Sequence, residues 1–149
     1  MKTLQVQNGD IQLDSGGRLI FIQGTNKLVQ DLSLWLQEPF GTSFTAPSFG
    51  STLTSLIGGT STTSSAALVQ AEIQRVLSIY QSQQILSLQN AQNLSQLSFW
   101  SRSEIINSIN SVQISLEYAS IIANVSITTL ANTTISLSML INSNGVQVY

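Results

Sequence analysis

The sequence predicts an α+β domain, with an N-terminal β-hairpin, two to three helices and a C-terminal antiparallel sheet of three to four strands. Near both ends of the chain, apolar and polar residues alternate with the period of a half-buried strand. Between the ends, apolar residues recur every three or four positions, which is the period of a helix. A chain of 149 residues fits one domain, 1–149, with a single modest core.

The first part of the domain, residues 1–57, is predicted to hold the hairpin, one helix and a loop. Alternation through the first 13 residues predicts a strand, and residues 18–22 are predicted to form the second strand of the hairpin. The turn between them, residues 14–17, ends in two glycines, which supply the positive φ that a tight hairpin needs.

One amphipathic helix is predicted to follow the hairpin. Thr25 or Asn26 is expected to be its N-cap. Its apolar stripe, with steps of three and four residues, consists of Leu28, Leu32, Trp35 and Leu36. Pro39 is predicted to end this helix, because Glu38 before a proline is pushed out of helical geometry.

The segment from Phe40 to Ser65 is rich in glycine, serine and threonine and carries three phenylalanines, Phe40, Phe44 and Phe49. A loop with aromatic residues either folds back on its own core or docks into a partner, and the sequence leaves both open. Pro47, Phe49 and Gly50 are predicted to form a fixed turn, anchored by Phe49. Residues 53–57 are expected to form one helical turn, and residues 58–65 a flexible joint.

Residues 64–110 are predicted to be helical. A long helix from Ser65 to about Gln89 has its apolar face at Val69, Ile73, Val76 and Tyr80. Glu72 and Arg75, three residues apart, are expected to form a solvated ion pair. The pattern from Ser101 to Glu104 fits a capping box, so a short helix is predicted through Ile109, with Phe99 and Trp100 as its apolar anchor.

Residues 111–149 are predicted to form the sheet. Apolar residues alternate from Val112 to Tyr118, and turn residues occur near 132 and at 142–145. Val146 to Tyr149 is expected to add a fourth strand. A further alternating set, predicted to share one face of the sheet, is Ile135, Leu137, Met139 and Ile141.

Charge is scarce throughout the chain and ends at Glu117. Asp, Glu, Lys and Arg make up 8%, against about 25% in an ordinary soluble domain, and the net charge is −2. Such a chain is expected to associate. A sheet edge without charges is normally covered by another chain, so the sequence favours a strand-pairing surface formed by Ile135, Leu137, Met139, Ile141, Val146 and Val148. The alternative is a sheet fully buried against the helices.

Composition argues against several classes of function. The chain has no His and no Cys, which removes His-based acid–base chemistry, thiol chemistry and the usual zinc ligands, so we expect no catalytic site, no metal and no cofactor. Five scattered basic residues form no phosphate-binding patch, and no apolar run reaches the roughly 18 residues of a membrane span. We therefore expect neither nucleic acid nor membrane as a partner. The first residues lack the apolar core of a signal peptide, so the protein is expected to stay in the cytoplasm until it is assembled.

Three segments of the chain resemble motifs of one family. Asp31–Leu36 lies in the helix before the loop, and residues 46–53, Ala-Pro-Ser-Phe-Gly-Ser-Thr-Leu, fit an R-P-x-F-G-S-x-L-like signature with Ala46 in place of the basic residue. Glu117 stands at the start of an E-P-R-like motif, where Tyr118 and Ala119 replace its proline and arginine. In order and spacing, the chain resembles the small baseplate wedge or sheath-initiator proteins of contractile phage tails, a family once labelled lysozyme-like.

The resemblance implies structural work in a virion, within the tail baseplate, after assembly in the host cytoplasm. Six copies would surround the tail axis, join the baseplate wedge proteins, contact tube or hub proteins, and template the first ring of the tail sheath protein by strand pairing. The wedge-facing residues it implies are Glu38, Pro39, Phe40, Pro47, Phe49, Gly50 and Glu117. No pair of glutamates can be assigned the acid and nucleophile roles of a lysozyme. The alternatives are a secreted adhesin or fibre-tip binding domain, and the equivalent subunit of a contractile secretion machine.

Overall fold

A computed structural model describes residues 2–7, 9–58, 62–94 and 100–149 of the chain. A small N-terminal β region comes first, followed by two α-helices and then a four-stranded antiparallel sheet that packs one face on the helices. The elements are β1 (Thr3–Leu4), β2 (Val6–Gln7), β3 (Asp10–Ile11), β4 (Phe21–Ile22), α1 (Thr25–Gln37), a 3-10 helix (Leu53–Gly58), α2 (Thr63–Asn93), β5 (Ile106–Leu116), β6 (Ser120–Thr129), β7 (Thr134–Asn142) and β8 (Gly145–Val148). The α+β class and the C-terminal antiparallel sheet agree with the prediction.

The N-terminal part is two small sheets, where one hairpin was predicted. β1 pairs with β4 and β2 pairs with β3, and we call residues 2–7 and 9–22 the N-terminal arm. Its three segments meet at Gln5, Gln12 and Ile20, whose backbone groups bond in a cycle with N–O distances of 2.8 to 3.2 Å. The predicted turn exists at the tip, where Leu13 pairs with Leu19. Gly9, at φ 82°, permits the additional turn that divides the arm.

Helix α1 buries the predicted stripe, because Leu28, Leu32, Trp35 and Leu36 are all 8% exposed or less. Its N-cap differs from the prediction. Gly24, at φ 65°, holds that position without a side-chain cap, and its N–H donates to the carboxylate of Glu104 at 2.8 Å instead. The helix ends as predicted, since Glu38 is extended (φ −70°, ψ 129°) before the proline.

Helix α2 is longer than the prediction at both ends. Thr62 is its N-cap and forms a capping box with Ser65, so the helix begins two residues before the predicted start, and it continues to Asn93. Its inward face includes the predicted apolar positions together with two polar residues; the buried set is Val69, Glu72, Ile73, Val76, Leu77, Tyr80 and Gln84. The 3-10 helix confirms the helical turn predicted for residues 53–57.

The short helix predicted from Ser101 to Ile109 is wrong, and so is the boundary between residues 64–110 and 111–149. The sheet begins at Ile106, since β5 pairs with β6 from Ile106 onward. The pairing register of β5 shifts between Ile106 and Ser108 and again between Ile109 and Ser111. These shifts break the two-residue period of the strand, so the spacing of its apolar residues resembled that of a helix. Glu104 does accept a bond from the Ser101 N–H at 3.1 Å, but at a turn. Phe99 lies outside the described residues.

The four strands form a simple meander in the order β5-β6-β7-β8. Inward-facing residues of β6 and β7 alternate with polar ones, and the predicted face of Ile135, Leu137, Met139 and Ile141 is buried in the core at 1 to 8% exposure. Tyr118, predicted in the first strand, lies in the β5–β6 turn and is fully exposed. The fourth strand predicted for residues 146–149 is β8.

A row of four aromatic rings crosses the core and joins the loop to both helices. Ring centroids are 4.6 Å apart for Phe49 and Trp35, 5.9 Å for Trp35 and Tyr80, and 6.4 Å for Tyr80 and Trp100. The Tyr80 hydroxyl donates to Asp31 at 3.0 Å. Burial raises the pKa of that hydroxyl, and the negative charge of Asp31 raises it further.

Trp35→Ala should lower the free energy of unfolding by about 3–5 kcal/mol, the usual cost of deleting a buried aromatic side chain. The reason is that Trp35 contacts rings from two other segments while only 8% exposed. Chemical denaturation measures the loss. Leu34→Ala on the same helix, at a position 39% exposed, is the control and should cost far less. An unchanged stability for Trp35→Ala would contradict its place in the core.

Candidate functional site

The loop of residues 38–52 carries most of the predicted wedge-facing residues. The predicted turn is present, because the Phe49 N–H donates to the Ala46 carbonyl at 2.9 Å around Pro47. Phe49 packs on Trp35, so this part of the loop folds back on its own core. Phe44 is almost fully exposed and Phe40 is about half exposed, so the same loop also presents aromatic surface to solvent.

Gly50 lies where the loop approaches its own beginning. The Ser51 N–H donates to the Glu38 carbonyl at 2.8 Å and the Phe40 N–H donates to the Ser51 carbonyl at 2.9 Å, forming a short parallel bridge. Gly50 has φ 99°, and a Cβ there would lie 2.6 Å from the Glu38 carbonyl oxygen. Both the backbone conformation and the space therefore require glycine, as the sequence predicted.

The Glu72–Arg75 pair holds the other side of this loop, so the expectation of a solvated pair is wrong. Glu72 is buried and its Oε1 accepts the Thr52 N–H at 2.7 Å, while Arg75 Nη2 donates to the Gly50 carbonyl at 3.3 Å. Two 2.7 Å bonds join the guanidinium to the carboxylate. Burial raises the pKa of Glu72, but the bonds from Arg75 and Thr52 outweigh it and hold that pKa below its ordinary value.

Two glutamines bind strand segments in the same way. Gln30 of α1 donates to the Leu4 carbonyl at 3.0 Å and accepts the Val6 N–H at 2.7 Å. Gln84 of α2 donates to the Glu104 carbonyl at 2.6 Å and accepts the Ile106 N–H at 3.0 Å. In a strand, the C=O of one residue and the N–H two residues later point to the same side. One side-chain amide can therefore replace a neighbouring strand, which sequence reasoning missed.

The outer edge of β5 is covered by more glutamines from α2. Gln70 donates to the Val112 carbonyl at 3.1 Å, and Gln81 donates to the Ile106 and Asn107 carbonyls at 3.2 and 3.1 Å. Positions 70, 81 and 84 recur on one side of the helix, because 11 residues complete about three turns. This edge of the sheet is thus occupied over much of its length.

The outer edge of β8 is different. Ser138 and Tyr149 exchange both backbone bonds, at 2.8 and 3.3 Å, which fixes the alternation along the β7–β8 pair. The backbone groups of Val146 and Val148 therefore point away from β7. Around Val148, that edge faces an open cleft of about 740 Å³ between β8, α1 and β2. No side chain that lines the cleft carries a charge.

The predicted sheath-pairing residues divide between two strands. Ile135, Leu137, Met139 and Ile141 lie on β7, whose backbone is paired with β6 along its length and with β8 over its second half. Their side chains fill the core, so they are not edge residues. Val146, buried, and Val148, half-buried, lie on the open strand β8.

Glu117 is separate from the other predicted wedge-facing residues. It is exposed in the β5–β6 turn, where its N–H donates to the Ser120 carbonyl at 2.9 Å. Within the described residues, no hydrogen bond, ion pair or ring contact joins it to the 38–52 loop. Glu38 does belong to that loop and accepts a bond from the Thr42 hydroxyl at 2.6 Å.

Groups of three or more His, Cys, Asp or Glu side chains placed to hold a metal ion do not occur among the described residues. In the same part of the chain, none of the helices has the length and apolar character needed to cross a membrane. Comparison of the chain with protein-family models, with curated proteins and with solved structures gives no match.

Gly50→Ala should destabilise the domain by about 1–3 kcal/mol or more, since the new methyl group would meet the backbone at Glu38 and Pro39 in a positive-φ conformation. Gly41→Ala is the matched control, because Gly41 also has positive φ (80°) but open space around it. Thermal melts of both variants separate the steric cost from the conformational one. Equal losses would show that the close approach at Gly50 is not present.

The free energy of unfolding should fall as the pH drops below about 4.5, the ordinary pKa of the Glu72 and Glu104 carboxyls. Burial raises the pKa of Glu104, but hydrogen bonds from the Gly24 and Ser101 N–H groups outweigh burial and lower that pKa. The folded pKa values of Glu72 and Glu104 therefore both lie below 4.5. The unfolded chain then binds more protons in acid, and the stabilisation present above pH 4.5 is lost as the pH falls through the folded values.

Denaturation midpoints measured from neutral pH into acid test this dependence. Glu72→Gln should start less stable and lose less on acidification, because one of the two responsible carboxyls is gone. The exposed Glu117→Gln is the control and should follow the wild-type curve. A Glu72→Gln curve parallel to wild type would contradict the role of this carboxylate.

Proposed function

We propose that this chain is a structural subunit of a contractile-tail baseplate, which joins wedge proteins and templates the first sheath ring by strand pairing. The observation that carries the proposal is the outer edge of β8, which is open, uncharged and next to an uncharged cleft. Backbone pairing on such an edge supplies affinity without charged complementarity. In this role the chain works without catalysis, cofactor, metal, nucleic acid or membrane.

The contrast between the two sheet edges supports this assignment. Side chains of α2 bind the backbone of β5 at several positions, whereas the outward groups of Val146 and Val148 have no partner strand and Val148 lines the cleft. An added strand of the sheath protein would bond with these groups and lie along α1. The buried β7 residues hold β8 in register and contribute indirectly, through the core.

Two groups of residues in the 38–52 loop would contribute differently to a wedge-facing role. Pro39, Phe40 and Pro47 are exposed and available for contact. Phe49 and Gly50 are internal and set the shape of the loop, so their changes would act on the fold first. Phe44, the most exposed aromatic of the loop, is an additional contact residue that the family resemblance did not indicate.

Two other roles remain as alternatives to the baseplate role. The equivalent subunit of a contractile secretion machine would use the same surfaces. A secreted adhesin would bind sugars through the outer face of the sheet, but polar side chains there bond with one another: Asn110 donates to Ser126 and Thr128, and Ser138 donates to Asn124. That internal bonding favours the assembly role.

Val148→Pro tests the strand-pairing mechanism. Proline removes the outward N–H of Val148 but leaves the bonds between β8 and β7, so the domain should fold and enter the baseplate while sheath polymerisation fails. Val148→Ala is the matched control, because it loses similar packing but keeps the N–H, and it should still support a sheath. Electron microscopy of assembled tails reads out both results.

Deletion from Gly145 onward is a poorer test, since it removes Val146, which belongs to the core. Tails that build a full sheath on the Val148→Pro subunit would refute strand pairing at this edge. A reconstruction of the particle that places this chain elsewhere than in six copies around the tail axis would refute the baseplate role itself.

A further inference from the structure

The turn between β7 and β8 contains an asparagine followed by a glycine. Asn144 lies in this turn, and Gly145 begins β8 opposite Asn142, in the last pair of the hairpin. The backbone nitrogen of a residue that follows asparagine can attack the carbonyl carbon of the asparagine side chain. Glycine hinders this attack least, because it has no Cβ. In the sequence, the other asparagine followed by glycine is Asn8, which lies outside the described residues.

The side chain of Asn144 is exposed and has no hydrogen-bond partner within the described residues. Other asparagines of the sheet are held by such bonds. Asn142 Oδ1 accepts the Asn144 N–H at 2.9 Å, and Asn124 Oδ1 accepts the Ser138 hydroxyl at 2.8 Å. Asn132 is exposed too, but the threonine that follows it places a branched Cβ beside the backbone nitrogen. Asn144 therefore combines a free side chain with an unhindered neighbour.

The backbone around Gly145 leaves room for this attack. At φ 122°, a Cβ added to Gly145 would meet no heavy atom within 4 Å, so nothing crowds this part of the turn. Gly145 pairs with Asn142 at the very end of the hairpin. Terminal pairs open most readily, and each opening frees the backbone nitrogen that would attack. Exposure, a free side chain and an accessible nitrogen thus coincide at the dipeptide Asn144–Gly145.

We propose that Asn144 is a site of spontaneous deamidation, whose products release β8 from its register with β7. In the first step, the Gly145 nitrogen gives its proton to hydroxide and forms a bond to Cγ of Asn144. The bond between Cγ and Nδ2 then breaks, and Nδ2 leaves as ammonia after it takes a proton from water, which regenerates hydroxide. A cyclic imide remains, in which the Gly145 nitrogen is bonded to two carbonyl carbons.

Water opens this imide in either of two directions. Addition at Cγ breaks the bond between Cγ and the Gly145 nitrogen and gives an aspartate at position 144. Addition at the main-chain carbonyl carbon breaks the other bond and gives isoaspartate, whose backbone runs through the former side chain and is longer by one methylene. The sequence of steps consumes only water and releases only ammonia.

Both products alter the β7–β8 hairpin. No charged side chain follows Glu117 in the sequence, so a carboxylate at position 144 would be the first charge in this part of the sheet. Turn type and loop length fix the register of a hairpin, and β8 is only 4 residues long. The longer isoaspartyl backbone would therefore displace Val146 and Val148. A resulting loss of sheath templating rests on the proposed function, whereas the deamidation itself does not.

Peptide mapping of the full chain during incubation in mildly alkaline buffer tests the site. Cleavage after Glu117 yields one peptide, 118–149, which contains Asn124, Asn132, Asn142 and Asn144. Tandem mass spectrometry should show the acid accumulating at position 144 at least about tenfold faster than at the other three positions. A sample digested without incubation corrects for deamidation during the digestion.

Amide hydrogen exchange reports whether β8 keeps its register. In the unmodified chain, the Tyr149 N–H donates to the Ser138 carbonyl at 2.8 Å. In the deamidated fraction, this N–H should exchange at least about tenfold faster, because the pairing that protects it is lost. Asn144→Gln is the matched control, since it keeps a neutral amide but would have to close a larger ring. After the same incubation, this variant should keep the exchange rate of the unmodified chain.

Deamidation at Asn144 that is no faster than at Asn142 would overturn the proposal. So would an unchanged exchange rate for the Tyr149 N–H in the deamidated fraction. The baseplate function can fail independently. If the deamidated chain loses protection at Tyr149 while the Val148→Pro subunit still builds a full sheath, the strand-pairing function is refuted and the deamidation site stands. If Asn144 stays intact while Val148→Pro blocks the sheath, the baseplate function stands and the deamidation site is refuted.

Discussion

The fold depends on one recurring contact, in which helix side chains bind the C=O of one residue and the N–H two residues later in a neighbouring strand segment. Gln30 does this for the arm, Gln84 for the start of β5, and Glu72 with Arg75 for the 38–52 loop. Each of these segments lacks a strand neighbour on that side, and buried backbone groups must be paired. The two helices therefore serve as strand partners as well as core elements.

These contacts also determine which strand edges stay unpaired. The glutamines of α2 occupy the edge of β5, so that edge cannot template another strand. No comparable side chain reaches the outward groups of Val148 on β8 within the described residues, and the cleft beside it is uncharged. On β8, strand β7 pairs one side of the backbone and the other side is left open.

The periodic spacing of apolar residues predicted the helices and strands in which that period is unbroken. The stripe of α1 and the inward face of β7 could be read directly, and Gly50 followed from the local loop motif. The start of β5 could not be predicted in this way, because register shifts on both sides of Ser108 give its apolar residues a helical spacing. Strand order was equally hidden: alternation places Leu137 on a strand face but cannot say that β7 is interior. The glutamine contacts join residues 20 to 42 positions apart, beyond any local signal.

Several of the few charged side chains in this chain form specific contacts. Lys27 pairs with Asp31 beneath the Trp100 ring, Glu72 pairs with Arg75, and Glu104 binds backbone N–H groups. The strands of the sheet carry no charges, so a strand added at the open edge would be selected by register and shape alone. Along the arm, Asp10, Asp14 and Arg18 alternate with apolar residues, so these charges lie on the opposite face from the apolar side chains. The open edge of β8 therefore offers backbone groups and shape, and no charged side chain, to a strand that would pair there.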